Sequence, residues 1–219
     1  ERYIKALSFC FKDFFNELER PISLFALLPG YLENPNSSLI YMLEQLKDLE
    51  LLNHKGYYLN NHDELISDMN QSKSNGELIM LWGVTFGLLD FVENKTFDLS
   101  GHIVLETGGM KGRRKELTRD SVHKTLEKGF NVSGIYSEYG MTELLSQAYS
   151  SGKGLFKMSE NLGVLVRDVY DPLSLVRDGE NGVLNIIDLH NEHSCPFIAT
   201  QDLGKVHTNG YFEVLGRTD

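Results

Sequence analysis

The 219 residues are enough for one large domain or two small ones, and 41% hydrophobic residues supply a substantial core. A net charge of −10 with no extended basic stretch argues against a nucleic-acid-binding surface. The two cysteines, Cys10 and Cys195, fit no zinc or redox spacing, so a reduced, cytoplasmic compartment is expected; no apolar run approaches the roughly 20 residues that span a bilayer, and no signal peptide is visible.

In chain order, Ile4, Leu7, Phe11, Phe14, Phe15 and Leu18 recur at helical spacing through residues 1–20, and Pro21 ends that helix. Residues 22–28 are continuously apolar and, closed by Pro29-Gly30, read as a buried parallel strand. Asn36 or Ser37 then caps a helix with Leu39, Met42, Leu43 and Leu46 on one side. A short helix is expected over 64–69, a strand over 78–84, the start of a helix over 86–92 and a third strand over 102–105. The helix over 119–128 is the best marked, with Thr118 as N-cap and Leu117 and Val122 as a hydrophobic staple. Lys124 and Lys128 suit the negative end of its dipole, and Gly129 a left-handed stop.

The apolar run 132–135 reads as another buried strand, and Leu144, Leu145 and Ala148 suit the apolar side of a further helix. Up to residue 150 strands alternate with helices, which implies α/β architecture with a mostly parallel sheet. Over 151–219 short strand patterns are separated by Gly, Asp and Asn turns, with Asn209-Gly210 as a strong hairpin signal. A small antiparallel β subdomain is expected there. The chain begins with Glu1 rather than Met and stops at Gly216-Arg217-Thr218-Asp219, so it reads as a piece of a longer protein.

Between strand and helix lies Tyr136-Ser137-Glu138-Tyr139-Gly140-Met141-Thr142-Glu143. In a parallel sheet this turn falls at the carboxyl edge, where ligands bind. Tyr139 offers a flat face for a ring, and Gly140 a backbone conformation closed to other residues. Thr142 and Glu143 would stand at a helix start, whose free amides attract phosphate. A carboxylate beside phosphate needs a cation between them, so Glu143 suggests Mg²⁺. An ordinary loop before a well-capped helix explains the local pattern equally well.

Other groups carry weaker signals. Thr107-Gly108-Gly109-Met110-Lys111-Gly112 follows a strand and lets backbone approach a flat ligand, but it is neither a phosphate loop nor a dinucleotide fingerprint. Lys111, Arg113, Arg114 and Lys115 read residue by residue as a solvated turn. Asp202, in Thr200-Gln201-Asp202, can accept from both hydroxyls of a ribose or simply close a β-turn. Arg217 offers a guanidinium to phosphate or ribose oxygens. His190, His193 and Cys195 are explained better by a polar turn than by a metal.

Taken in order, these motifs resemble the adenylate-forming superfamily of acyl-CoA synthetases, luciferases and peptide-synthetase adenylation domains. Within it the chain is most similar to the acyl-protein synthetases, the fatty-acid-activating components of bioluminescence fatty acid reductases. The resemblance rests on Phe25-Ala26-Leu27-Leu28-Pro29-Gly30-Tyr31, Leu81-Trp82-Gly83-Val84-Thr85-Phe86, Gly108-Gly109-Met110-Lys111-Gly112, Tyr139-Gly140-Met141-Thr142-Glu143 and Phe197-Ile198-Ala199-Thr200-Gln201-Asp202-Leu203-Gly204, and it spans nearly the whole chain.

It implies a two-step reaction: ATP and a carboxylic acid give an acyl adenylate and pyrophosphate, and the acyl group then passes to a thiol. The thiol would belong to a protein cysteine, coenzyme A or a carrier protein, with an acyl reductase as a possible partner. By motif, Glu143 would hold Mg²⁺, Thr142 would contact ATP phosphate, and Tyr139 and Gly140 would lie along the adenine. Gly108, Gly109 and Met110 would form the other adenine wall, Asp202 would bind the ribose hydroxyls, and Arg217 would contact ribose or phosphates. Asp219 would stand at the hinge to a small C-terminal domain, and Tyr31, Gly83 and Thr85 would line the acyl pocket.

The family's phosphate loop is expected before residue 1, and its C-terminal domain with the catalytic lysine after Asp219. Neither cysteine stands where the acyl-protein synthetases carry theirs, and Gln201 replaces a common glycine. The stretch as given is expected to bind nucleotide weakly and not to catalyse adenylation efficiently. The alternatives are a non-catalytic nucleotide- or acyl-binding module on the same fold, and a nicotinamide-dependent reductase, which lacks its glycine fingerprint.

Overall fold

The computed structural model describes residues 1–18, 20–28, 36–108 and 117–218. Tyr31, Gly109, Met110, the basic cluster at 111–115 and Asp219 lie outside the described residues. The chain forms two compact units, Asn16–Glu138 and Glu1–Phe15 with Tyr139–Asp219. Among the described residues no helix is long and apolar enough to cross a membrane.

The first helix, α1 (Arg2–Phe15), belongs to the second of these units. The Asn16–Glu138 unit alternates β1 (Ile22–Leu27), α2 (Ser38–Asp48), β2 (Asn53–Tyr57), α3 (His62–Ser74), β3 (Leu78–Val84), α4 (Thr85–Asn94), β4 (Ile103–Thr107), α5 (Arg119–Phe130) and β5 (Tyr136–Tyr139). The strands run in the order β2-β1-β3-β4-β5, and the pairs with register are parallel, with Leu81 beside Phe25 and Val104 beside Leu81. The apolar runs of β1 and β3 are buried on both faces, as a covered parallel sheet requires. Phe25, Leu27, Ile79, Leu81 and Val104 share one core with Leu65, Met69, Leu88, Phe91, Leu126 and Phe130 of the helices. β2 carried no sequence signal because it lies at the edge of the order, partly exposed, and its residues Asn53-His54-Lys55-Gly56-Tyr57 need little apolar character.

The caps read from sequence are present: Ser37 accepts from the Ile40 amide and Thr118 from the Ser121 amide. The stop of α5 differs from expectation. Asn131 takes the left-handed conformation (φ 54°), and the amides of Asn131 and Val132 both reach the Glu127 carbonyl. Gly129 lies inside the helix for packing, since a Cβ there would stand 2.5 Å from Val92 Cγ1. The run 132–135 is therefore helix cap and connector rather than strand, with Ile135 fully buried in the core, and β5 begins at Tyr136.

In the second unit β6 (Ala148–Ser150), β7 (Leu155–Lys157), β8 (Leu162–Arg167), β9 (Gly182–Asp188), β10 (Phe197–His207) and β11 (Tyr211–Arg217) lie in the order β6-β7-β11-β10-β9-β8, with antiparallel pairing. The Asn209-Gly210 hairpin forms with His207 opposite Tyr211 and Gly210 at φ 80°, a three-residue loop. Tyr139, Leu144, Phe156, Val164, Leu184 and Phe212 build the core. Helix α1 sets Phe15 against Tyr149, ring centroids 5.3 Å apart, and Asp13 against Lys157 at 3.0 Å. The observed class is the expected one: α/β with a parallel sheet, flanking helices and an antiparallel β part.

Candidate functional site

At the carboxyl edge of the parallel strands, successive residues face opposite ways. On one side Trp82 Nε1 donates to Thr107 Oγ1 at 2.7 Å, and that hydroxyl donates to Glu138 Oε2 at 3.2 Å. Burial, joined by the charge of Glu106 and opposed by the Thr107 bond, pushes Glu138 up to about 7. Glu106 takes the opposite course. Burial favours its neutral form, but His123, with Nε2 4.0 Å from Oε2, the hydrogen bond from Thr85 and the charge of Arg119 hold it below the usual carboxylate range.

Thr85, expected in an acyl pocket, is buried and donates to Glu106 Oε1. Gly83 has a packing reason to be glycine: a Cβ there would stand 2.7 Å from Leu88 Cγ. Gly108 differs, because it is exposed and a Cβ there would meet nothing within 4 Å. Among the described residues nothing covers that surface.

In the second unit Tyr139, Asp202 and Arg217 come together. Tyr139 is 9% exposed, its ring 5.6 Å from Phe212, and its hydroxyl donates to Asp202 Oδ2 at 2.8 Å. Arg217 Nε lies 3.4 Å from Asp202 Oδ1, with the arginine side chain 73% exposed and the aspartate 13%. Asp202 stands at an irregularity in β10, where pairing with β9 shifts between Ala199 and Leu203, rather than in a β-turn. Thr200 Oγ1 donates to the Leu184 carbonyl and accepts from the Asp202 amide at 3.0 Å. Arg167 closes the arrangement by donating to the Thr200 carbonyl at 2.6 Å and to Asn185 Oδ1 at 2.5 Å.

The segment after Tyr139 overturns one expectation. Thr142 and Glu143 form an exposed turn, not a helix start, and the chain passes through Leu145 into β6. The amides that a helix would leave free are taken: Leu145 N and Ser146 N donate to Asp188 Oδ2 at 2.8 and 2.9 Å. What remains at Glu143 is therefore its own carboxylate. Among the described residues that carboxylate has no hydrogen-bond or ion-pair partner, which fits a group left for Mg²⁺. Among the described residues no group of three His, Cys, Asp or Glu gathers as a metal cluster, and His190 instead meets Ser146 Oγ at 2.9 Å.

Arg167, Asp188 and Asn191 were not legible as site residues. Nothing local in the sequence marks them, because their partners lie far along the chain.

No protein-family model and no curated sequence matches the chain. Solved structures do, and what they share with this chain is its fold. ATP-bound MatB from Rhodopseudomonas palustris superposes with a TM-score of 0.70 at 15% identity, covering 99% of this chain and 44% of its own. A long-chain-fatty-acid-CoA ligase from Archaeoglobus fulgidus gives 0.68 at 16% identity, covering 99% of this chain and 47% of its own. O-succinylbenzoate coenzyme A synthetase from Bacillus subtilis, in complex with AMP, gives 0.59 at 16%, with 99% and 44% covered. The chain spans less than half the length of these proteins.

Proposed function

We propose that the protein activates a carboxylic acid, in the first instance a fatty acid, as its acyl adenylate and passes the acyl group to a thiol. The observation that carries this reading is the Tyr139–Asp202–Arg217 cluster, in which Tyr139 opens the motif that ends in Glu143, a carboxylate with no partner among the described residues. The fold shared with ATP- and AMP-bound synthetases supports it.

Attack of a substrate carboxylate oxygen on the α-phosphate forms the acyl–phosphate bond and breaks the α–β bond, releasing pyrophosphate. A thiol then attacks the acyl carbon, and AMP leaves. Bringing anions together makes charge neutralisation and positioning the main tasks. Asp202 orients the ribose by accepting from its hydroxyls, with Tyr139 holding one carboxylate oxygen in place. By motif order Tyr139 would lie along the adenine, and Gly108, Gly109 and Met110 are the residues assigned to its other face. Arg217 supplies positive charge, Thr142 a hydroxyl to phosphate, and Glu143 the carboxylate that would hold Mg²⁺, whose charge offsets that of the phosphates. Gly140 keeps this turn free of side chain, Tyr31 borders the acyl group, and Asp219 marks the hinge.

The test is pyrophosphate exchange into ATP by the full-length protein, screened over carboxylic acids. Glu143→Gln is expected to lower exchange by about tenfold or more. Asp202→Ala is expected to weaken ATP binding by a factor of about five in calorimetry. Exchange with no acid would refute the activity, and normal exchange by Glu143→Gln would remove its metal role.

A further inference from the structure

Glu143 is exposed and sits in neither helix nor strand, yet its backbone is held from two directions. The 3-10 turn Leu189–Asn191 lies just after β9, with Asp188 as its N-cap. Asp188 is fully buried and accepts four hydrogen bonds: from Leu145 N at 2.8 Å, Ser146 N at 2.9 Å, Ser146 Oγ at 2.7 Å and His190 N at 3.1 Å. Asn191, 4% exposed, donates from Nδ2 to the Glu143 carbonyl at 2.9 Å and to the Cys195 carbonyl at 3.0 Å. Its Oδ1 accepts from Ser194 Oγ, which fixes the amide orientation.

The Ser146 proton is committed to Asp188, so His190 Nδ1 must be the donor in its contact with Ser146 Oγ. Ser146, Asp188 and His190 are therefore a structural clasp in which serine joins the other two, not a nucleophile set in which histidine would do so.

We propose that Asp188 and Asn191 are positioning residues that preset the Glu143 carboxylate for a divalent cation bound with nucleotide phosphate. The inference rests on the reading of Glu143 as the cation ligand. A small, hard cation demands near-ideal geometry, so a ligand on an exposed turn needs its backbone fixed before the cation arrives. Asn191 fixes the carbonyl of Glu143 itself, and Asp188 fixes the amides two and three residues further on.

The experiment measures Mn²⁺ affinity by water-proton relaxation at saturating ATP in the full-length protein, for wild type, Asn191→Leu and Glu192→Gln. Glu192 lies next to the clasp, but among the described residues its carboxylate meets the exposed Arg2 and His193. Asn191→Leu is expected to weaken Mn²⁺ binding about tenfold, while Glu192→Gln leaves it unchanged. The Mg²⁺ concentration for half-maximal exchange should rise by the same factor with KM for the acid unmoved; a lower rate at every Mg²⁺ concentration with no such shift marks a merely structural role and overturns the proposal. Equal Mn²⁺ affinity in wild type and Asn191→Leu also overturns it, whatever the activity. A wild type that binds Mn²⁺ with ATP but catalyses no exchange would refute the proposed reaction and leave the clasp standing on the Mn²⁺ shift.

Discussion

Glu138→Gln should stabilise the protein in alkali and leave it unchanged in acid. The Glu138 carboxyl stands at the end of the Trp82–Thr107 chain, and burial together with the charge of Glu106 raises it from 4.5 to about 7. Between those values the folded protein holds a proton that the unfolded chain has released, so stability falls as pH rises through this window. Above about pH 7 the full penalty is in force, roughly 3 kcal/mol at about 1.36 kcal/mol per pH unit across the window. Glutamine is neutral at every pH and keeps an oxygen to accept from Thr107. Denaturant unfolding at pH 4 and pH 8 should therefore give no difference at the lower pH and about 3 kcal/mol in favour of Glu138→Gln at the higher. At 2–4 °C per kcal/mol the melting midpoint would rise by roughly 6–12 °C. A difference that is flat between pH 4 and 8, or a variant less stable at pH 8, would refute the reasoning. Glu106→Gln should behave in the opposite sense, since the depressed carboxyl contributes stability at neutral pH that is lost in acid.

Gly108→Ala should leave stability within about 0.5 kcal/mol, because among the described residues its Cβ meets nothing, yet weaken ATP binding about tenfold in calorimetry if adenine packs there. Arg167→Ala should raise the ATP dissociation constant several-fold by releasing the Thr200 carbonyl behind Asp202, and an unchanged constant would exclude Arg167 from positioning the clamp. Glu77, held down to about 2 chiefly by hydrogen bonds from Ser23 and Ser72, also faces Lys55 at 3.2 Å. Glu77→Gln should cost about 1–2 kcal/mol at neutral pH. That stabilisation is present above about pH 4.5 and lost as pH falls towards about 2, so the urea midpoints of variant and wild type should converge there.

Local chemistry legible in the sequence settled much of the architecture. Near-continuous apolar runs marked β1 and β3, since a strand covered on both faces has room for a polar side chain only where a partner meets it, as Glu77 meets Ser23. Ser37 and Thr118 marked two helix starts because a cap acts within three residues of itself. Tyr139, Asp202 and Arg217 could be named from motif order, and the fold brings these three side chains together. What tertiary structure alone decided depends on partners distant along the chain. Gly129 is a packing residue because Val92 crosses it, and the segment after Glu143 is no helix because Asp188 has taken its amides. Likewise Glu106 and Glu138 are both glutamates at strand ends, and only their neighbours set one ionised and the other near neutrality.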